Sequence, residues 1–291
     1  MRFALLCTLL ALAGCGRGAM SSTLATTAAA ASAQAAPPPP ASRSAAVPAS
    51  VATATNAAPP AGAQLSSPSS PLAGKVITVD PGHNGGNFTQ PQAIARPVDD
   101  GNGEKECDTT GTAAPDGYRE TDFNWSVALR LRALLRAAGA RVVMTRNSNT
   151  GVGPCITRRA AIGNRAHSDA AISIHADGGP PSGSGFAILI PAPIPSGANN
   201  RIIVPSRRLA LALRTSLLGA GLHPSTYDGV DGLAARTDLG GLNLSRVPKV
   251  FVEVANMQNA ADEAPMERPA FRERIARALL AGLERFLAPA R

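Results

Sequence analysis

Three short apolar runs in the chain each end at a residue that binds metals or transfers protons. The runs that start near residues 76, 170 and 250 end at His83, His175 and Glu253. β-Branched runs of this length, bounded by Gly, Pro and Asp, are typical of buried strands. Because open α/β sheets form their sites at the carboxyl ends of strands, these three side chains are expected to meet there. Two imidazoles and a carboxylate in one place are typical of a metal hydrolase.

Two carboxylates have both a chemical and a structural interpretation. Glu120 stands where a helical pattern begins, and with His83 and His175 it completes a His₂Glu set of the kind that binds catalytic zinc. Alone, it is equally well explained as an acid that favours a helix N-terminus. Glu253 lies in an apolar strand, where it either pairs with an arginine or serves as the general base of a hydrolase.

An alternation of strands and helices has to position these residues. Residues 122–138 show a clear amphipathic pattern, which we expect Thr121 or Asp122 to cap and Gly139 to end. The alternation predicts an α/β fold, a mostly parallel twisted sheet with helices on both faces. The predicted strands are 75–80, 141–145, 170–174, 186–190 and 249–254, and the predicted helices are 122–138, 156–167, 206–218 and 266–287.

Residues 84–119 do not fit this alternation. They are rich in Gly, Asn, Asp, Pro and Thr and have no regular period. A loop of this length in a compact domain is usually functional or mobile. We expect Gly85 and Gly86 to keep the turn after His83 open for a ligand.

The amino terminus has the pattern of an export signal. Arg2 precedes an apolar stretch that is too short to span a bilayer, and small residues follow it. We expect residues 1–14 to be a signal peptide. Residues 12–15 resemble the bacterial lipobox, which implies that Cys15 is lipidated after cleavage and anchors the protein to the membrane. The alternative is an ordinary secretory signal followed by an incidental Cys15. Either way, we expect the protein to be exported to the cell envelope or periplasmic space.

Residues 15–71 consist almost wholly of Ala, Pro, Ser and Thr. A segment with so few large apolar residues cannot offset the entropy lost on ordering, so we expect a disordered spacer. The remaining residues, 72–291, are numerous enough for one well-buried domain, which we expect to be the catalytic domain and to be monomeric.

The formal net charge is +8, carried almost entirely by arginine. Aromatic residues make up 3% of the chain, too few for base-stacking platforms, so nucleic acid is not an expected partner. The charge is compatible with attraction to an anionic cell envelope.

Cys107 and Cys155 remain as an even pair if Cys7 is lost with the signal and Cys15 is lipidated. In an exported domain this favours a disulfide. Two free thiols or two thiolate metal ligands are the alternatives, although no Cys-x-x-Cys spacing supports the latter.

These motifs resemble the zinc-dependent N-acetylmuramoyl-L-alanine amidase family of the Amidase_3 type. The resemblance rests on Asp-Pro-Gly-His at 80–83, Glu120 at a helix start, Ser-Ile-His-Ala-Asp at 173–177 and Val-Glu at 252–253. It extends in order over nearly all of residues 72–291. Further matches are Arg159, Asn164 and Asp169 before the second His, Arg236, Leu239 and Leu242 before the last strand, and Asn259, Asp262 and Glu263 after it.

The resemblance implies a hydrolase that cuts the amide between N-acetylmuramic acid and L-alanine in peptidoglycan or muropeptide fragments. It implies one zinc ion per chain, with His83, Glu120 and His175 as ligands and Glu253 as the catalytic residue. The chain departs from the family at residues 254–257, where Val-Ala-Asn-Met replaces the usual Gly-Phe.

Two other interpretations remain at this stage. A zinc carboxypeptidase-like peptidase has a related fold, but its first His and Glu are two residues apart, whereas a long loop separates His83 from Glu120. A non-catalytic envelope-binding lipoprotein would require all four site residues to be incidental.

Overall fold

The computed structural model describes residues 70–289, and these form a domain around a six-stranded sheet. The predicted signal peptide, the lipidation of Cys15 and nearly all of the predicted spacer lie outside the described residues. In chain order the strands are β1 (Val76–Pro81), β2 (Pro97–Asp99), β3 (Glu104–Glu106), β4 (Arg141–Met144), β5 (Ala170–Asp177), β6 (Ala187–Pro191), β7 (Leu233–Arg236) and β8 (Lys249–Asn256).

The large sheet has the strand order β4-β1-β5-β8-β6-β7. The first four strands in this order run parallel, β6 is antiparallel to β8, and β7 is parallel to β6. The prediction of a mostly parallel sheet is therefore confirmed. As a result, the carboxyl ends of β1, β5 and β8 lie side by side at one edge of the sheet.

Helices cover both faces of the sheet, as predicted. The helices are α1 (Pro91–Ile94), α2 (Glu120–Ala137), α3 (Ile156–Arg165), α4 (Asn200–Gly219), α5 (Gly240–Asn243), α6 (Ala260–Glu263) and α7 (Pro269–Leu287). Helices α2, α4 and α7 form a layer on one face, in which α7 packs against both α2 and α4, while α3 and α5 pack on the other face. Among residues 70–289, no helix combines the length and apolar composition needed to cross a bilayer.

Helix α2 shows why these residues form this fold. Phe123, Val127, Leu131 and Leu135 recur every four residues and are fully buried against the sheet. Gly139 follows the helix with a φ of 85°, a left-handed conformation that costs glycine little, so its predicted role is confirmed.

The start of α2 differs from the prediction. The helix begins at Glu120 rather than at residue 122, and its N-cap Arg119 makes no side-chain capping bond. Thr121 and Asp122 are therefore not caps. Instead, the backbone N–H of Glu120 donates to the carbonyl of Thr112 at 3.0 Å. This contact comes from the preceding loop and leaves no local sequence signal.

Other boundaries also shift. Residues 84–119 contain the hairpin β2–β3 and the short helix α1 rather than an unbroken loop. Helix α4 starts at Asn200, before Pro205, and so is longer than the predicted 206–218. Strand β7 was not predicted.

Candidate active site

His83, Glu120 and His175 meet at the carboxyl edge of the sheet. One ligand-competent atom of each lies within 4.8 Å of the other two. Nε2 of His83 is 3.5 Å from Oε2 of Glu120, and Nδ1 of His175 is 3.0 Å from Oε1. His83 has a φ of 53°, which is uncommon outside glycine, and this left-handed turn follows directly after β1. The structure thus brings together the three residues that the sequence marked as metal ligands.

Asp108, which was not predicted as a site residue, contacts the Nδ1 side of the His83 ring. Nδ1 of His83 lies 3.0 Å from Oδ1 of Asp108 and 3.2 Å from the carbonyl of Thr109. Donation from Nδ1 to these acceptors leaves Nε2 with a free lone pair toward Glu120. Burial lowers the pKa of His83, but Glu120 and Asp108 more than offset it, so the pKa is raised. The same negative surroundings favour a metal cation.

Glu120 is oriented by three donors. The amide of Asn124, one turn later in α2, donates to Oε1 at 3.0 Å. Backbone N–H groups of Thr112 and Ala176 donate to the two carboxylate oxygens at 3.0 and 3.3 Å. Burial raises the pKa of Glu120, but the two histidines and these bonds outweigh it and bring the pKa to about 2. Glu120 is therefore an ionised carboxylate held in a fixed orientation, rather than only a favourable residue at a helix N-terminus.

His175 is held between a glycine and an aromatic ring. Its imidazole stacks on Phe251 with centroids 5.1 Å apart. On the other side, a Cβ added to Gly82 would lie 2.2 Å from Cε1 of His175. Gly82 is thus required for close approach. Gly85 and Gly86 do not keep the turn open for a ligand as predicted, because they pack against Asn149 and Gly151.

A buried group of four charges lies behind the histidines. Arg159 donates to Asp80 at 3.0 Å and to Asp108 at 3.2 Å. Lys249 donates to the other oxygen of Asp80 at 2.9 Å, with only 2% of its side chain exposed. Burial raises the pKa of Asp80, but Lys249 and Arg159 outweigh it and hold the pKa well below its usual range. Two cations therefore balance two carboxylates.

Glu253 projects from β8 beside His175, its register partner in β5. No ion pair involves Glu253 among residues 70–289, since Arg236 pairs instead with Asp238 at 2.7 Å. Burial raises the pKa of Glu253, and the charges of Glu120 and Asp177 raise it further, well above its ordinary value. A carboxyl group with a raised pKa suits proton transfer near neutral pH.

Comparison with known proteins agrees with this geometry. Residues 77–285 match the family model Amidase_3, described as N-acetylmuramoyl-L-alanine amidase. The chain belongs to the N-acetylmuramoyl-L-alanine amidase family. A relative named N-acetylmuramoyl-L-alanine amidase Rv3717, from Mycobacterium tuberculosis, is 42% identical over 218 residues, which cover 75% of this chain and 88% of the relative.

Two crystal structures of mycobacterial amidases share the fold. Ami1 from Mycobacterium smegmatis is 43% identical with a TM-score of 0.70, covering 74% of this chain and 98% of that one. The apo form of Ami1 from Mycobacterium abscessus is 44% identical with a TM-score of 0.70, covering 75% and 100%. The prediction of a peptidoglycan amidase is therefore confirmed, and the amidase acts in the cell envelope.

The amidase has a cavity of about 610 Å³ beside the site. His83, His175 and Glu253 line one side, and residues 104–106 of the hairpin and residues 238–241 line the other. This volume lies in the range of small-molecule binding sites. The unpredicted hairpin thus forms one wall of the cavity beside the site.

In the amidase, Cys107 and Cys155 form a disulfide. Cys107 directly precedes Asp108, and Cys155 directly precedes α3, which carries Arg159. The backbone N–H of Ile156 also donates to the carbonyl of Cys107 at 2.9 Å. The crosslink therefore joins the two segments that support His83, and its sulfur atoms are not metal ligands.

Sequence reasoning missed three supporting residues of the amidase. The position of Lys249 could have indicated its role, because a lysine at the start of an apolar strand must pair with a carboxylate if it is buried. The position of Asn124 could have done the same, since it lies four residues after Glu120 on the same helix face. No sequence pattern indicated the role of Asp108, apart from its position next to Cys107.

Proposed function

We propose that this amidase is a zinc enzyme with one ion per chain, held by His83, Glu120 and His175. The supporting observation is the convergence of these three side chains within 4.8 Å. Two imidazoles and one carboxylate are a donor set that catalytic zinc takes, with a position left for chemistry. When bound, zinc supplies polarisation of the scissile carbonyl and a lower pKa for the attacking water.

Glu253 is the general base and then the general acid. It takes a proton from the attacking water and delivers one to the nitrogen of L-alanine as the amide bond to N-acetylmuramic acid breaks. Its raised pKa matches both tasks, because a carboxyl group that titrates nearer neutral pH is competent to accept and to donate. The absence of an ion pair, among the residues described, leaves its carboxylate available to substrate.

The surrounding residues keep these groups in place. Asp108 accepts from Nδ1 of His83 and so presents Nε2 to the metal position. Asn124 and Thr112 hold the two oxygens of Glu120. Because these contacts exist before substrate arrives, the site needs little reorganisation during the reaction. Peptidoglycan or a muropeptide fragment then places its stem peptide in the adjoining cavity.

The proposal extends to export and attachment. Residues 1–14 act as a signal peptide, Cys15 carries a lipid anchor, residues 15–71 are a spacer and residues 72–291 are the monomeric catalytic domain. The composition of each segment supports this division. The mass of the mature amino-terminal peptide tests it: an acylated Cys15 is expected, and an unmodified one would refute the anchor.

Metal analysis of purified variants tests the ligand set. The wild-type protein is expected to hold one zinc per chain, and His175→Ala is expected to lose it while remaining folded. His223→Ala is the matched control, because the His223 side chain is exposed and its hydrogen bond is to the carbonyl of the adjacent Pro224. Undiminished zinc in His175→Ala would contradict the proposed site.

A further inference from the structure

Helix α4 presents an apolar stripe to solvent. Val204, Leu211 and Leu218 are 69%, 42% and 36% exposed. They are seven residues apart, so they follow nearly one line along a helix with about 3.6 residues per turn. Six large apolar side chains are exposed to this extent among residues 70–289, and three of them lie on this line. The opposite side of α4 is buried against β6, β8 and α7.

Arginines flank the stripe on both sides. By helical geometry Arg201 and Arg208 lie on one side and Arg207 on the other, and all three are exposed. Arg214, further along, is partly neutralised by an ion pair with Asp231. No ion pair within residues 70–289 involves Arg201, Arg207 or Arg208. Residues 200–219 contain no acidic residue. We call the stripe together with these three arginines the α4 outer face.

We propose that the α4 outer face docks on an anionic lipid surface. An apolar line bordered by cationic side chains is the pattern of helices that lie in a membrane interface. The aliphatic side chains enter the boundary between headgroups and acyl chains, while the guanidinium groups contact lipid phosphates. Helix α4 carries none of the proposed catalytic or ligand residues, so docking and hydrolysis use separate surfaces.

Charge favours a lipid occupant over the alternatives. A second copy of the chain related by a two-fold axis would bring unpaired arginines of one copy toward those of the other, with no acidic residue on α4 to meet them. A soluble polyanion would attract the arginines but would leave the aliphatic stripe in water. Only a surface that is both anionic and apolar satisfies both features.

Docking would also complement the proposed anchor. The anchor would hold the chain at the membrane, and a contact made by the folded domain would add to the total membrane affinity. The face is nevertheless testable without the anchor, because its contribution does not depend on lipidation of Cys15. Failure of the anchor proposal would leave this one intact.

Vesicle co-sedimentation tests the proposal. The chain from residue 15 onward, with Cys15→Ser to prevent acylation, is mixed with phosphatidylcholine vesicles that contain either no phosphatidylglycerol or about one-third. We expect binding only to the anionic vesicles, and weaker binding at high salt because the arginine contribution is screened.

Two sets of substitutions separate the contributions. Replacing Arg201, Arg207 and Arg208 together by Gln should weaken binding about a hundredfold at low salt, since each interfacial arginine contributes about fivefold. Replacing the stripe by Ser at all three positions should weaken it about tenfold or more. The matched control, Phe88→Ser with Val152→Ser, removes two exposed apolar side chains elsewhere and should bind normally. Activity on soluble muropeptides should be unchanged in every variant.

Several results would overturn the proposal. Equal binding by the stripe variant and the wild-type chain would show that the stripe does not enter lipid. Binding to a soluble polyanion but not to vesicles would identify a polymer surface, and a dimer lost in the stripe variant would identify self-association.

Discussion

Lys249 links the supports of both proposed metal-binding histidines. Its ammonium pairs with Asp80, and Arg159 joins Asp80 to Asp108, which holds the His83 ring. The same ammonium lies 5.2 Å from the ring of Phe251, on which His175 stacks. A single buried cation therefore helps to fix both imidazoles, and we expect its loss to affect metal binding as well as stability.

Replacing Lys249 by Met tests this link. The variant leaves part of the negative charge of Asp80 uncompensated, so the free energy of unfolding should fall by about 3–5 kcal/mol. Zinc should also be released more easily in competition with a chelator, and Lys249→Arg should restore part of both properties. Unchanged zinc affinity in a destabilised Lys249→Met protein would show that Lys249 supports the fold only.

The pKa of Asp80 predicts how stability depends on acidity. Because the pKa is lowered on folding from an ordinary 3.8, the ionised group stabilises the folded state above about pH 4, and this is lost as the pH falls below that value. In zinc-free protein between pH 5 and pH 3, the free energy of unfolding should fall more steeply for the wild type than for Lys249→Met. Equal slopes would contradict the pairing.

Gly82 should be intolerant of the smallest substitution. In Gly82→Ala the new methyl group would occupy the position of the His175 ring, so the ring must move and zinc affinity should drop by about tenfold or more. Gly151→Ala is the matched control, because a Cβ there meets nothing within 4 Å. Isothermal titration of zinc into both apo variants measures the difference. Equal affinities would place His175 outside the metal site.

Strands and helices with a regular apolar pattern could be predicted from the sequence. Elements whose position depends on contacts between distant residues could not. The apolar runs before His83, His175 and Glu253 became β1, β5 and β8, and the period of α2 located its buried face. The hairpin β2–β3 has strands of only three residues, and its exposed Glu104-Lys105-Glu106 shows no alternation of apolar and polar side chains. The start of α2 depends on the carbonyl of Thr112, which no local pattern reveals.

The disulfide joins two elements that support the site. Cys107 and Cys155 are 48 residues apart, and in the chain-entropy model a loop of this length stabilises the fold by about 4 kcal/mol. The double variant Cys107→Ser, Cys155→Ser should lose about this much in urea unfolding, and it should also release zinc faster because Asp108 is less firmly held. Thiol mapping of the exported wild-type protein provides the check on oxidation: two free thiols would refute the bridge.

In the folded domain, the point where the described chain begins and the proposed site lie at opposite edges of the sheet. The described chain enters β1 at its amino end, where the N–H of Gly74 donates to the carbonyl of Gly139 at 3.0 Å. His83 and His175 lie at the carboxyl ends of the strands. The residues that lead into β1 therefore join the domain at the edge opposite His83 and His175.

Product analysis shows whether the enzyme uses zinc to hydrolyse the bond between N-acetylmuramic acid and L-alanine. Purified muropeptides are digested with the enzyme and with Glu253→Ala, and the fragments are analysed by mass spectrometry. We expect an intact stem peptide with a free L-alanine amino group and an intact sugar, a reaction stopped by a zinc chelator and slowed about 10²–10⁴-fold in Glu253→Ala. New reducing sugar ends or loss of only a terminal D-alanine would contradict cleavage of this amide bond, and full activity in the chelator would contradict the role of zinc.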